Sequence, residues 1–284
     1  MGISSSCFFA ELCHMKTKIV KCVLCSCLLL GVFSCDWIEF HPYDTRFDGP
    51  RKINAKNVER IEQGCQGRDS LRFAVISDTQ RWYDETALAV DDINRRKVDF
   101  VLHLGDMTDF GLTREFEWMQ RELARLQAPY VCLLGNHDCL GTGPDVFREM
   151  YGDPNVSFTA GDTHFVCLNT NAFEYDYSIS IPDFAFIKAD KSVLPDEVRR
   201  TVVAMHAAPG SDQFNNNVAE VFHEKIQEYP SLQFCLSGHN HKTKIFYPLN
   251  DGLAYYQCGA ASGRNYYLFT FKTDGTFVCE VIDF

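Results

Sequence analysis

The sequence predicts an α/β protein in which two sheets form a sandwich with helices on the outside. Three observations lead there. Between Leu71 and Leu134, apolar runs of strand length alternate with helical patterns at roughly 30 residues per unit, as in strands joined through helices. After Gly152 the pattern shifts mainly to strand and turn. Polar residues of metal-binding type follow several of the apolar runs, and open α/β sheets gather their ligands beyond strand ends.

In chain order, Asn54 reads as the N-cap of a helix that runs through Val58 and Ile61 and stops at Gly64. Phe73–Ser77 is a strand, and Glu85–Arg96 a helix with Leu88, Val90 and Ile93 on its apolar side. Phe100–Leu104 is the next strand, Thr113–Leu126 the next helix and Tyr130–Leu134 the third strand. This βαβαβ run predicts a sheet with helices on both faces. Val156–Ala160 and Thr163–Asn169 make a hairpin around Gly161-Asp162. A loop of aromatics and acids from Phe173 leads into a helix over Asp183–Val193, followed by strand Thr201–Met205, helix Val218–Tyr229 and strand Leu232–Leu236. Lys244–Tyr247, Leu253–Gln257, Tyr267–Phe271 and Phe277–Ile282 read as strands, so the second half is expected to be antiparallel.

The chain has 284 residues, a net charge of −11 and 46% hydrophobic residues, enough for the core of one α/β domain. The acidic balance argues against a nucleic-acid partner, because phosphate backbones are held by clustered Lys and Arg. Any affinity for phosphate must therefore be local and come from bound metal.

Residues 1–34 read as a signal peptide whose natural start is Met15. Lys16, Lys18 and Lys21 form a positive region, and the apolar stretch from Val20 to Phe33 is too short to span a bilayer. Val32-Phe33-Ser34-Cys35 resembles a bacterial lipobox, which implies lipidation of Cys35 and anchoring at the cell envelope, on the periplasmic or outer side of a membrane. Residues 35–52 read as a tether and 53–284 as the functional domain. Of the 13 cysteines, Cys22, Cys25 and Cys27 serve as apolar filler in the leader. Those of the body lie mostly in apolar runs; spacing leaves open free buried thiols or a bridge such as Cys132–Cys139.

Five motifs carry the chemistry: Asp78-Thr79-Gln80, Gly105-Asp106-Met107-Thr108-Asp109, Gly135-Asn136-His137-Asp138, His206, and Gly238-His239-Asn240-His241. Asp78, Asp106 and Asn136 each follow an apolar strand and are separated by 28 and 30 residues, so adjacent strands could deliver them to one edge. His239 and His241 sit two apart, which in a turn can direct two imidazoles toward different ions. Carboxylates, a carboxamide and imidazoles together suit a pair of hard-to-borderline divalent cations.

These blocks, over about Leu71 to His241, resemble the calcineurin-like metallophosphoesterase superfamily. The resemblance implies a four-layer α/β/β/α sandwich of two mixed sheets and hydrolysis of a small phosphorylated substrate. It implies that Asp106 bridges two ions, that Asp78, Gln80 and His241 complete one site, and that Asn136, His206 and His239 complete the other. His137 would be the general acid or transition-state donor, oriented by Asp109. The family usually has histidine where this chain has Gln80. A carboxamide is a harder, weaker donor than imidazole, so Mn²⁺ is expected first, with Mg²⁺, Fe²⁺ or Zn²⁺ as alternatives. The substrate is a phosphomonoester or phosphodiester. Gln80 also suggests a pyrophosphatase of nucleotide-sugar or nucleotide-alcohol compounds, and a non-catalytic binding lipoprotein is the reading from another class. Arg81, Trp82, Tyr83, Arg264 and Asn265 either face substrate or pack loops at the surface; Phe173–Asp183 and Gly210–Asn217 have the length of specificity loops.

Overall fold

Aromatic side chains decide how the two sheets meet. The computed structural model describes residues 43–284, together with Lys16, Lys18, Val20, Lys21 and His41. The Ser34-Cys35 junction and the rest of the leader and early tether lie outside the described residues. The chain divides into Met1–His41 and Pro42–Phe284, and the sandwich is the second unit. In the first, Lys16, Lys18, Val20 and Lys21 are helical and exposed. Among the described residues no helix is long and apolar enough to cross a membrane.

The elements are α1 (Ile53–Cys65), β1 (Leu71–Ile76), α2 (Tyr83–Arg96), β2 (Phe100–His103), α3 (Thr113–Leu123), β3 (Tyr130–Cys132), α4 (Gly143–Met150), β4 (Val156–Ala160), β5 (Thr163–Leu168), α5 (Phe184–Lys191), β6 (Arg200–Met205), α6 (Ala219–Gln227), β7 (Leu232–Ser237), β8 (Lys244–Phe246), β9 (Tyr255–Gln257), β10 (Asn265–Phe271) and β11 (Phe277–Asp283). One sheet has the order β11-β10-β1-β2-β3 and the other β4-β5-β6-β7-β9-β8. Both are mixed, which gives the α/β/β/α sandwich.

Period-two alternation assigns each strand residue to a layer. On β1, Phe73 and Val75 face the space between the sheets, while Ala74 and Ile76 face the helices. Phe73 stacks between Phe100 and Phe269 at centroid distances of 5.1 and 5.2 Å and meets Phe165 of the other sheet edge-on at 5.2 Å. Phe234 stacks on Phe269 at 4.8 Å. On the outer face of the first sheet, α2, α3 and α4 contribute Val90, Ile93, Phe116, Met119, Val146 and Phe147. On the outer face of the second, α5 and α6 contribute Ile187, Phe222 and Ile226 over Val203, Met205 and Cys235. Helices therefore cover one face of each sheet, not both faces of the first as the βαβαβ run suggests; the other face is taken by the second sheet.

Three further expectations change. The second half is not simply antiparallel: β5, β6, β7 and β9 are parallel neighbours, and β10 crosses to the first sheet to pair antiparallel with β1. Asn54 is not a helix cap, since α1 starts at Ile53 after Lys52. Instead its buried carboxamide donates to the Cys132 carbonyl (2.8 Å) and accepts from the Cys132 N–H (2.9 Å), so it pairs with β3 as a neighbouring strand would. The end of the predicted tether is held to the domain, because Phe47 is buried beside α1 and the Lys52 N–H donates to the Glu149 carbonyl at 3.2 Å. Helix α4, with Pro144 in its first turn, was not foreseen.

At the far edge of the second sheet, the buried Asp190 carboxylate accepts from His164 Nε2 (3.0 Å), the Tyr229 hydroxyl (2.7 Å) and the Ser157 hydroxyl. Burial opposes its charge, but these donors outweigh that and hold its carboxyl below the usual carboxylate range. Because the folded pKa lies below the unfolded one, the stabilisation is complete above the unfolded pKa and disappears as pH falls through the folded value. Asp190→Asn should cost about 2 kcal/mol at neutral pH and progressively less as pH falls below the ordinary carboxylate range, read from urea unfolding across that range.

Candidate metal centre

Each candidate ligand sits where a strand of either sheet runs out. Parallel strands β1, β2 and β3 present Asp78, Asp106 and Asn136 side by side, and β6 and β7 present His206, His239 and His241 from the second sheet. Asp78, Asp106, His239 and His241 all have left-handed backbones, with φ of 52°, 59°, 70° and 57°. Non-glycine residues rarely adopt this region, and the strain turns each side chain off its strand axis. The neighbouring glycines allow close approach. A Cβ on Gly135 would lie 2.1 Å from the Asp106 nitrogen, and one on Gly238 would lie 2.1 Å from Ser77 Oγ and 2.8 Å from Asp78 Oδ2.

The result is a buried cluster of acceptors. Ligand atoms of Asp78, Asp106 and His206 lie within 4.8 Å of one another, and all three residues are fully buried. His206 donates from Nδ1 to the Leu104 carbonyl (2.8 Å), which leaves Nε2 3.0 Å from Asn136 Oδ1 and 3.4 Å from Asp106 Oδ2. His239 gives Nε2–H to Asp212 Oδ1 (2.7 Å) and directs Nδ1 to Asn136 Oδ1 at 3.0 Å. His241, half-exposed at the rim, places Nε2 3.3 Å from Asp78 Oδ1. Gln80 is buried, with its N–H donated to the Asp106 carbonyl at 3.0 Å. Six of the seven predicted ligands thus meet through their side chains, and Gln80 joins them through its main-chain N–H.

The residues fit divalent cations on a direct test. Asp78 Oδ1, Gln80 Oε1 and Asp106 Oδ2 are buried without a hydrogen-bond partner. Orphaned buried acceptors are costly, and those of Asp78 and Asp106, gathered beside His206, suit a cation. Burial opposes a charge on His206, yet the carboxylates of Asp106 and Asp78 outweigh it and raise the imidazole to about 9. Asp106, also opposed by burial, is held below the usual carboxylate range by His206.

His137 donates its N–H to Asp106 Oδ1 (2.9 Å) and its ring Nδ1–H to the main-chain carbonyl of Asp109, also 2.9 Å away. Asp109 thus meets His137 through its main-chain carbonyl and not through its carboxylate. The carboxylate accepts instead from Arg81, through Nε at 2.8 Å and through Nη2. Arg264, the other candidate for facing substrate, lies 3.3 Å from Glu85. Tyr83 packs edge-on against Trp118 at 6.1 Å. The two candidate specificity loops join each other: Gln213 Nε2 donates to Glu174 Oε1 (2.8 Å) and the Phe173 N–H to the Gln213 carbonyl (3.2 Å). The described cysteines are free, and Cys139 donates to the Gly135 carbonyl and does not bridge to Cys132.

Three residues of the site were missed from sequence. Asp138 is fully buried, and its carboxylate accepts from the N–H groups of Asp106, Met107 and Thr108 (each 2.9 Å), Gly135 (3.0 Å) and the Thr108 hydroxyl (2.9 Å). Burial and the Asp106 charge push it up, to about 7, and those donors pull it down. A carboxyl proton would face only donors here, so the pocket accommodates the ionised form. His103 accepts the Gly105 N–H at Nδ1 (3.1 Å) and so donates from Nε2 to Thr79 Oγ1 (2.8 Å). Burial lowers its pKa to about 4, which keeps the ring neutral. Asp212 holds His239. The sequence held a signal for Asp138, beside His137 in a turn between two glycine-flanked motifs, but none for the other two.

Residues 71–243 match the family described as calcineurin-like phosphoesterase. The chain belongs to that family. The family's general chemistry is metal-dependent hydrolysis of phosphate esters. A 3',5'-cyclic-nucleotide phosphodiesterase of Nostoc sp. is 28% identical over 156 residues, which are 52% of this chain and 58% of that protein. A dimetal phosphatase from Danio rerio superposes with a TM-score of 0.60 at 14% identity, covering 75% of this chain and 97% of the other. Purple acid phosphatase PPD1 from yellow lupin (Lupinus luteus) gives 0.59 at 12% identity, covering 77% and 52%. At such identities the two structures bear on the fold alone.

Asp138→Asn puts an amide N–H against main-chain donors. It should lower stability by about 3 kcal/mol in chelator-treated protein, measured by urea unfolding, and weaken Mn²⁺ uptake in elemental analysis.

Proposed function

We propose that the protein hydrolyses phosphate esters, diesters in preference to monoesters, with two divalent cations held by Asp78, Gln80, Asp106, Asn136, His206, His239 and His241. The buried oxygens of Asp78, Gln80 and Asp106 that accept no hydrogen bond carry this reading. When bound, such cations activate a water and offset charge on phosphate oxygens. Mn²⁺ suits the hard Gln80 oxygen better than Zn²⁺ does. Asp106 has one oxygen on the His137 N–H and the other free toward His206, so it can serve both halves of the centre. His137 commits Nδ1–H to the Asp109 carbonyl, and this leaves Nε2 to carry the proton given to the departing oxygen.

The diester preference is supported by the charge around the cluster. Arg81 and Arg264 are both paired with carboxylates, and Asp212 and Glu174 add negative charge nearby. The second negative charge of a monoester would meet little compensation. The Nostoc relative, a cyclic-nucleotide phosphodiesterase, is consistent with that preference. The leader supports a location: lipid on Cys35 would hold the mature protein on the outer side of a bacterial membrane. The intact mass of membrane-extracted protein tests this, and a mature chain beginning at Cys35 without added lipid would refute it.

With Mn²⁺, kcat/KM for bis-p-nitrophenyl phosphate should exceed that for p-nitrophenyl phosphate by about tenfold, a 1.4 kcal/mol preference. Chelation should abolish both. Cleavage of a nucleotide-sugar faster than either would favour the pyrophosphatase reading, and metal binding without any turnover the binding module. His137→Ala should lower kcat by about 10²-fold or more while metal content holds. Loss of metal in that variant would make His137 structural.

A further inference from the structure

Arg81, its side chain 59% exposed, pairs with Asp109 in a fixed two-point geometry. The Asp109 side chain is only 15% exposed, and one of its oxygens takes both Arg81 Nε and Nη2. Arg81 reaches it from a left-handed backbone, φ 60°, in a turn closed by the Trp82 N–H on the Thr79 carbonyl. Such a conformation costs on the order of 1 kcal/mol in a residue with a side chain, and persists where the surroundings fix it. Residue 109 is also gripped from the following side. Glu115 Oε2 accepts the N–H groups of Phe110 (3.0 Å) and Leu112 (3.1 Å), and Thr108 Oγ1 accepts that of Gly111 (3.1 Å). The segment so clamped presents one carbonyl inward, the Asp109 C=O on His137 Nδ1.

We infer that Arg81 is a positioning residue for the leaving-group proton: it braces Asp109 so that the Asp109 carbonyl keeps His137 turned toward the departing oxygen. The inference rests on His137 acting as the acid. The guanidinium spans the loops after β1 and β2, and a carbonyl held at one fixed place selects one tautomer and one ring orientation. Lysine could not replace it, because a point charge cannot make two fixed bonds to one oxygen. The bond made and broken is the ordinary one: the ester P–O bond breaks, water supplies the new P–O bond, and the His137 proton goes to the leaving oxygen.

The test is a series of aryl esters, of whichever phosphate class the enzyme turns over fastest, with leaving phenols of graded acidity. A poor leaving group needs the proton and a good one hardly does. In Mn²⁺-loaded Arg81→Gln, kcat should fall about 100-fold for the phenyl ester but only severalfold for the p-nitrophenyl ester, with metal content equal to wild type. Asp109→Asn should behave alike, and the double variant should be no worse than either single one, since both remove one brace. Equal losses across the series, a change confined to KM, or multiplicative losses in the double variant would each overturn the inference. His137→Ala is the control that separates the two ideas. If it leaves the leaving-group dependence unchanged, the acid reading itself fails; if it steepens the dependence and Arg81→Gln does not, only the brace is wrong.

Discussion

A single buried carboxylate, that of Asp138, links the loops on which the centre depends. It takes N–H groups from residues 106–108 on one loop and from Gly135 on the next, so the ends of β2 and β3 are fixed together through one anion. Charge-assisted bonds of this kind are the strong ones, and four main-chain donors give the site a rigidity that side-chain packing alone would not. Asp106 and Asn136 inherit their relative positions from it. His103 does the same between the first two loops, through the Gly105 N–H and Thr79.

The frame holds an arrangement that is unfavourable by itself. Two buried carboxylates, Asp78 and Asp106, meet on left-handed backbones at the junction of two sheets. Each feature costs energy, and they are found together because one ligand type offsets all of them. A proton on His206 partly answers the same need, as its raised pKa indicates. The acidic surface and the cation-seeking interior are therefore separate matters.

Much of this was legible in the chain, for physical reasons. Strands buried on both faces read as continuous apolar runs, so β1, β2 and β3 were found within a residue or two, and the candidate ligands stood out because they follow those runs. What the pattern could not say is which sheet a strand joins. Strand β10 looks like any strand near it in sequence, yet it pairs with β1, more than 180 residues earlier. Asn54 before an amphipathic run is also the ordinary sign of a cap, and only the open edge of β3 explains its actual use. The roles of Asp109 and Asp212 were equally hidden. Local sequence shows that an acid is present but not whether its side chain or its carbonyl meets the histidine, nor which loop reaches across to His239.

The aromatic layer between the sheets has a bearing on the chemistry above it. Four of the seven candidate donors follow strands of one sheet and three follow strands of the other, so the separation between Asp106 and His206 is a separation between sheets. The stack of Phe73, Phe100 and Phe269 against Phe165 and Phe234 sets that spacing from below. It works like the hinge pin of a caliper. A ring lost far down in the sandwich would let the jaws drift, and a set of metal-binding side chains tolerates little drift.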